Sequence, residues 1–302
     1  MALHEIALER RTLHGHFSRA LEPVLTVDAG DTVAFACLDA GWHVAATGEK
    51  FEPTTELDAG HALVGPIEVR GARAGQTLEV RIDRVEPGGW GWTAAGGWSS
   101  PLNERLGVAD AERLIVRWSL ADGIGRDQAG REVELRPFLG VIGMPPPEDG
   151  IHDTRPPRRW GGNVDCSELV AGSTLYLPVP VGGALLSAGD GHARQGDGEV
   201  SGTAIECPVE RAELTLGLRD DLPLEWPLAR APDAWIAFGF DEDLDEAAAV
   251  ALEGILAVLA REQGAERLEA LALASVAVDL RVTQLVNGVC GVHAVLRDNV
   301  LR

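Results

Sequence analysis

The chain has 302 residues, 45% hydrophobic and 24% charged, the balance of a folded protein with room for a real core. Lys and Arg number 26 against 47 Asp and Glu; the net charge of -21 repels phosphate backbones and anionic bilayers, so neither nucleic acid nor a membrane is an expected partner. Lys50 is the only lysine, and arginine carries the rest of the positive charge.

From Leu21 to about Leu218, glycine and proline interrupt the chain every eight to twelve residues, the spacing of an antiparallel β-sandwich or barrel. Pro23 to Val27 and Thr32 to Ala36, joined by Asp28-Ala-Gly-Asp31, predict two strands linked by a tight turn. Leu78 to Val85 alternates apolar and polar residues, as a strand with one wet face does. Gly88 to Trp98 is rich enough in glycine to predict a loop, carrying Trp90, Trp92 and Trp98 either over an apolar pocket or down onto the sheet. Proline density from Met144 to Asp153 and from Arg155 to Asn163 excludes helix and central strand.

The last seventy or so residues change character. Leu244, Ala248, Ala251, Leu252, Ile255 and Leu259 fall on one stripe at helical spacing, with an acidic first turn to suit the helix dipole and Gly264 to end the helix. A second helix is predicted from about Glu266 to Val278, then strands to the end. The expected architecture is a β-rich α+β fold: an antiparallel β-sandwich or barrel body over 1–230 that carries the site, and a C-terminal helix-plus-strand portion over 231–302 packed on it. Cys37, Cys166, Cys207 and Cys290 lack metal or redox spacing and read as buried free thiols. The N-terminal run has no secretory apolar stretch and no segment approaches a membrane span, so the cytoplasm is the expected location.

Reactive side chains are densest between Ala188 and Val200, where Asp190, His192, Gln195, Asp197 and Glu199 are separated by four glycines. A dinucleotide loop needs a third glycine placed otherwise and a following helix, so no nucleotide cofactor is expected. Carboxylates and carbonyls suit calcium, but the EF-hand spacing is missing. His192 among carboxylates suits a zinc-like ion or a hydrolytic acid/base pair, and a glycine-aspartate hairpin of purely structural purpose also fits. Further polar residues, His14, His16, Asp39, His61, Asn163 and Asp165, are possible partners that spacing does not join to this segment.

Gly161 to Cys166 (GGNVDC), Leu169 to Val179, and Gly189 to Glu199 within the pattern SxGDxHxxQGDGE resemble the acetamidase/formamidase family. His14, Asp39 in LDAGW, His61 in HALVGPI, Pro137 to Gly143 and Val278 to Asn287 match it in order. The resemblance implies hydrolysis of short aliphatic amides to a carboxylate and ammonia, a β-rich fold with an α/β portion near the C-terminus, and a homodimer or higher homo-oligomer. Ser167 stands where that pattern leads one to expect a lysine.

Amide hydrolysis needs a strong nucleophile, a stabilised oxyanion and a proton for the departing nitrogen. Lys50 lies in a stretch free of motifs, which disfavours mechanisms built on a catalytic lysine. Activated water remains: Asp39, His61, Asp190 and His192 are the expected cradle for a divalent metal, zinc favoured and calcium the alternative, or for direct polar contacts. Glu199 or Asp165 would move the proton, Asn163 and backbone N–H groups would bind the oxyanion, and Asp197 completes the candidate catalytic set. Cys166, beside Asp165, is a fallback nucleophile. Two alternatives stay open: a small-ligand-binding member without catalysis, prompted by Ser167, and a hydrolase of larger or cyclic amides, prompted by the tryptophan segment.

Overall fold

The computed structural model describes residues 1–51 and 58–301, whose strands form three sheets. Alternation at Leu78 to Val85 puts Leu78, Val80, Ile82 and Val85 inside, on the long strand Thr77–Pro87. That strand lies within a nine-stranded sheet ordered Leu3–Ile6, Thr32–Cys37, Val209–Arg219, Thr77–Pro87, Thr174–Pro178, Leu228–Ala231, Ala234–Asp241, Cys290–Arg297, Val278–Gln284. Only its first pair is parallel. A six-stranded sheet runs Gly161–Asn163, Phe138–Gly143, Leu186–His192, Leu63–Val69, Leu13–His14, with Leu25–Val27 added in parallel to Leu63–Val69. One apolar cluster joins the two, Val33, Val80, Ile82 and Leu214 from the large sheet against Val64, Ile67, Ile142 and Leu186 from the smaller. This is sandwich packing, in which each sheet buries its apolar face on the other. A four-stranded sheet, Glu132–Glu134, Ile124–Asp127, Leu114–Ala121, Trp90–Ala95, completes the body.

The C-terminal helix pair forms as predicted. The first helix, Leu244–Gln263, is capped by Asp243, which accepts from the Asp245 N–H at 2.8 Å, and is stopped by Gly264 at φ 65°. It buries Ala247, Ala251, Ile255 and Leu259, while Leu244 at its first turn is exposed. A Cβ on Gly239 would lie 2.0 Å from the Ala247 carbonyl oxygen, so this glycine lets helix and strand touch backbone to backbone. The second helix is Arg267–Ala277. Strands on the two sides of residue 231 pair directly, Leu228–Ala231 with Ala234–Asp241, and carry the large sheet into the C-terminal portion. No helix among the described residues is long and apolar enough to cross a membrane. The four cysteines are free, Cys37, Cys166 and Cys207 buried and Cys290 half-buried.

Three local expectations change. The strands expected to form a hairpin at Pro23 to Ala36 join different sheets, Leu25–Val27 pairing with Leu63–Val69 and Thr32–Cys37 with Val209–Arg219. Alternation marks a strand but not its partner, and here the Asp28 to Asp31 turn hands the chain from one sheet to the other. The tryptophan segment is not a loop along its whole length, because Trp90–Ala95 is a strand paired with Leu114–Ala121. Gly91 sits there because a Cβ would come within 2.8 Å of the Glu206 carbonyl oxygen; glycine in this strand records close approach of another backbone. Finally, Ser201 to Glu206, a run that reads in sequence as a strand after the motif, is irregular, with bridges at Glu206 only.

Candidate active site

The strand Leu186–His192 runs between Phe138–Gly143 and Leu63–Val69 in the six-stranded sheet and carries Asp190 and His192. Gly189 and Gly191 are enclosed by neighbouring backbone, since Cβ atoms there would lie 2.6 Å from the carbonyl oxygens of Ala62 and Cys207. Across the sheet, a Cβ on Gly140 would lie 2.4 Å from Asp190 Oδ2 and 2.8 Å from both Asp165 Oδ1 and His192 Cε1. The absent side chain makes the room into which these three groups converge. Phe138 meets His192 edge to face at 5.0 Å and bounds that room with an apolar ring.

Five buried ionisable side chains gather here: Asp165, Asp190, His192, Glu199 and Glu206. His192 Nε2 is 3.4 Å from both Asp190 Oδ1 and Glu206 Oε2. Donor atoms of Asp165, His192 and Glu199 lie within 4.8 Å of one another, and so do those of Asp190, His192 and Glu206. Among the described residues, Asp165 Oδ1, Asp190 Oδ1, Glu206 Oε2, His192 Nδ1 and Asn163 Oδ1 are buried without hydrogen-bond partners. Such atoms cost free energy in a folded core and mark a place built for something else to bind.

Like charges at this density move the titrations. Burial, then Glu199, holds the Asp165 carboxyl well above its ordinary range. Burial likewise lifts Glu199 to about 8 and Glu206 to about 7, against the opposing pull of His192. Burial disfavours the charged imidazole of His192, yet Glu206 and Asp190 outweigh it and keep the ring protonated well above the usual histidine range. Asp190, despite burial, is drawn below the usual carboxylate range by His192 and His61. Backbone strain is concentrated at the same place: Asp165, Asp190 and Glu199 adopt φ of 49°, 59° and 46°, a left-handed region that side chains other than glycine rarely occupy.

A pocket of about 230 Å³ opens onto the cluster, lined among others by His61, Trp92, Asn163, Asp190, Glu199 and Glu206. Of the candidate residues, Asp165, Asp190, His192 and Glu199 come together, with Asn163 and His61 on the pocket wall. His61 Nδ1 is 2.8 Å from Thr154 Oγ1. Asp39 is buried nearby with its carboxylate already engaged, by the His43 N–H at 2.7 Å, His43 Nδ1 at 2.7 Å and the Trp92 indole N–H at 2.6 Å. Asp197 points away to Arg281 Nε at 2.5 Å. Burial pushes the Cys166 thiol up to about 12, which removes its thiolate at neutral pH.

Two residues escaped the sequence reading. Glu206 stands in the irregular run after the motif, and its signal was one acid between apolar Ile205 and Cys207. Asn287 reaches in from the turn between the last two strands, donating to Asp165 Oδ2 at 2.9 Å and to Glu199 Oε2 at 3.4 Å. Gln284 holds that turn, accepting from the N–H groups of Val286 at 3.0 Å and Asn287 at 3.2 Å.

The acetamidase/formamidase family profile matches residues 3–151 and 147–222 of this sequence. The chain belongs to the acetamidase/formamidase family. It is similar to the acetamidase structure from Bacillus halodurans, with 28% identity, a TM-score of 0.85 and 97% of each chain covered. A Schizosaccharomyces pombe protein provisionally named a formamidase is 24% identical over 80% of this chain and 75% of its own length. The acetamidase of Mycolicibacterium smegmatis is 52% identical over 48 residues, 16% of this chain and 12% of its own. As a member of this family the chain is an amidase acting on carbon–nitrogen bonds other than peptide bonds.

Proposed function

We propose that the chain hydrolyses short aliphatic amides, of the acetamide and formamide class, to a carboxylate and ammonia, using water activated inside the five-residue cluster. The observation that carries this is the cluster of Asp165, Asp190, His192, Glu199 and Glu206, of which Asp190, Glu199 and Glu206 line a small pocket. Asp165 and Glu199 form the proton-handling pair. With its carboxyl lifted to about 8, Glu199 has both acid and base forms within reach near neutral pH, so it can take a proton from water and return it to the departing nitrogen. Asn163, on the pocket wall, is the amide donor placed for the oxyanion.

Asp190, His192 and Glu206 are the residues that would hold a divalent ion, and they fit one. Their donor set is oxygen and nitrogen, and one oxygen each of Asp190 and Glu206 is buried without a partner beside the imidazole. When bound, zinc or calcium would supply Lewis-acid charge to polarise the carbonyl and acidify water. Asp39 and His61 then support the wall, Asp39 by fixing Trp92 and His43. Asp197 anchors the motif loop through Arg281.

Ammonia release from formamide, acetamide and propionamide tests the reading. Glu199→Gln is expected to lower kcat by about 10² to 10⁴, the usual worth of a general base; undiminished turnover overturns it. A larger or cyclic amide is favoured by one observation: a second pocket of about 260 Å³ shares Glu199 and is lined by apolar Trp118, Val133 and Ile205. A rise of kcat/KM with acyl length would select that reading.

Self-association is supported by Leu268, Val276 and Leu280, 83%, 76% and 50% exposed on the last helix and on Val278–Gln284, an edge strand of the large sheet. Light scattering on the purified protein tests a homodimer or higher oligomer. Four free thiols suit a reducing, cytoplasmic setting.

A further inference from the structure

A third pocket shares Trp92 with the hydrolysis pocket and is lined by cationic side chains. Its volume is about 220 Å³, and His43, Trp90, Trp92, Arg113 and Arg117 line it. The backbone of Lys50 pairs with that of His43, and the charges of Lys50 and Arg117 both act on the imidazole. In a chain of net charge -21, two arginines and a histidine thus meet at one cavity.

Arg126, Arg131 and Arg136, further along the same stretch, each hold a carboxylate. Among the described residues, the side chains of Lys50, Arg113 and Arg117 form no ion pair. Arg113 is fixed instead by stacking 5.4 Å above the Trp98 ring, which leaves its charge available. Trp92 lines both pockets, and Asp39 ties its indole N–H and His43 Nδ1 to one carboxylate oxygen at 2.6 and 2.7 Å. The two pockets therefore share one hydrogen-bonded partition.

The cavity volume admits a compact organic anion, and the guanidinium fork matches the two oxygens of a carboxylate. We propose that this pocket binds a small organic carboxylate, either the free acid released by hydrolysis or the acid end of an amide that extends past Trp92. The source of the acid rests on the amidase reading; the binding does not.

Calorimetric titration of the whole protein with sodium acetate and sodium succinate tests the site directly. Saturable binding is expected, weakened at least about tenfold in an Arg113→Gln/Arg117→Gln variant that melts like the parent, since charge-assisted bonds are lost. Arg117→Lys, which keeps the charge but loses the fork, is expected to bind more weakly than the parent and more tightly than the double variant. No saturable heat, or equal affinity in parent and double variant, overturns the proposal. Two kinetic arms separate the sources. Weakened acetate inhibition with acetamide kcat/KM unchanged identifies the free acid. A fall of about tenfold in kcat/KM for succinamic acid, with acetamide unchanged, identifies an acid-ended substrate. Carboxylate binding by a protein that hydrolyses no amide would leave this site standing and overturn the catalytic reading alone.

Discussion

Asn287 donates its side-chain amide to Asp165 at 2.9 Å across 122 positions of sequence, and the same nitrogen reaches Glu199. The final hairpin therefore finishes a site that the rest of the chain begins. Asn287→Ala is expected to lower kcat about tenfold, the worth of one buried hydrogen bond that orients the proton-handling pair, with KM little changed. Steady-state kinetics beside a melting curve check this; a fall in Tm with kcat intact would assign the residue to folding.

Gly140→Ala tests how tightly the cluster is built. A methyl 2.4 Å from Asp190 Oδ2 must displace a buried carboxylate rather than a flexible tip. Loss of roughly 1–3 kcal/mol of stability is expected from the overlap, with turnover lost as well. Urea unfolding and ammonia release measured on one preparation check both.

Acid should act on His14 before it reaches the carboxylate range. Burial, with help from His16, lowers the His14 imidazole from 6.5 to about 4. The folded state thus refuses a proton that the unfolded chain accepts. The His14 contribution to stability is complete above about pH 6.5 and is lost as pH falls toward 4, by roughly 3 kcal/mol at 1.36 kcal/mol per unit. His14→Gln should flatten this slope in urea unfolding between pH 7 and 4.5. Glu168 titrates elsewhere: opposed by burial but held by Arg136 and Arg281, its carboxyl is lowered to about 2, so its support is present above its unfolded value and fails only as pH drops toward 2.

Loading a divalent ion should release a proton. The His192 imidazolium and an ion compete for one set of carboxylates, so calorimetric heats for Zn²⁺ are expected to vary with the ionisation enthalpy of the buffer. Glu206→Gln should weaken binding about tenfold to a hundredfold. Buffer-independent heats would remove the competition.

Ile255→Ala, in the helix that covers the C-terminal strands, is expected to cost about 2–5 kcal/mol, because Ile255 is fully buried in that core. Guanidinium unfolding reads it, and unchanged kcat would show that this core stabilises without shaping the site.

Much of this was legible in sequence because it is local. The helix ends at Asp243 and Gly264 follow from their chemistry, and Gly189 to Glu199 announces its carboxylates within one short run. Glu206 and Asn287 were not legible as site residues, since each joins the site through folding between distant segments, although Asn287 ends the matching stretch Val278 to Asn287. Asp39 and Asp197 show the converse. Their residue type suited a site, but the carboxylate of one is filled by His43 and Trp92 and the other is paired with Arg281. Gly91 misled for a related reason, as glycine chosen for close approach reads in sequence like glycine chosen for a turn.

The left-handed backbone at Asp165, Asp190 and Glu199 bears on how this protein can change. A drift to glycine at Glu199 would relax the chain by roughly 1–2 kcal/mol while deleting the proposed proton carrier. Selection for heat resistance alone would thus push against catalysis at this position, and laboratory evolution for stability, run without an activity screen, should recover such variants first.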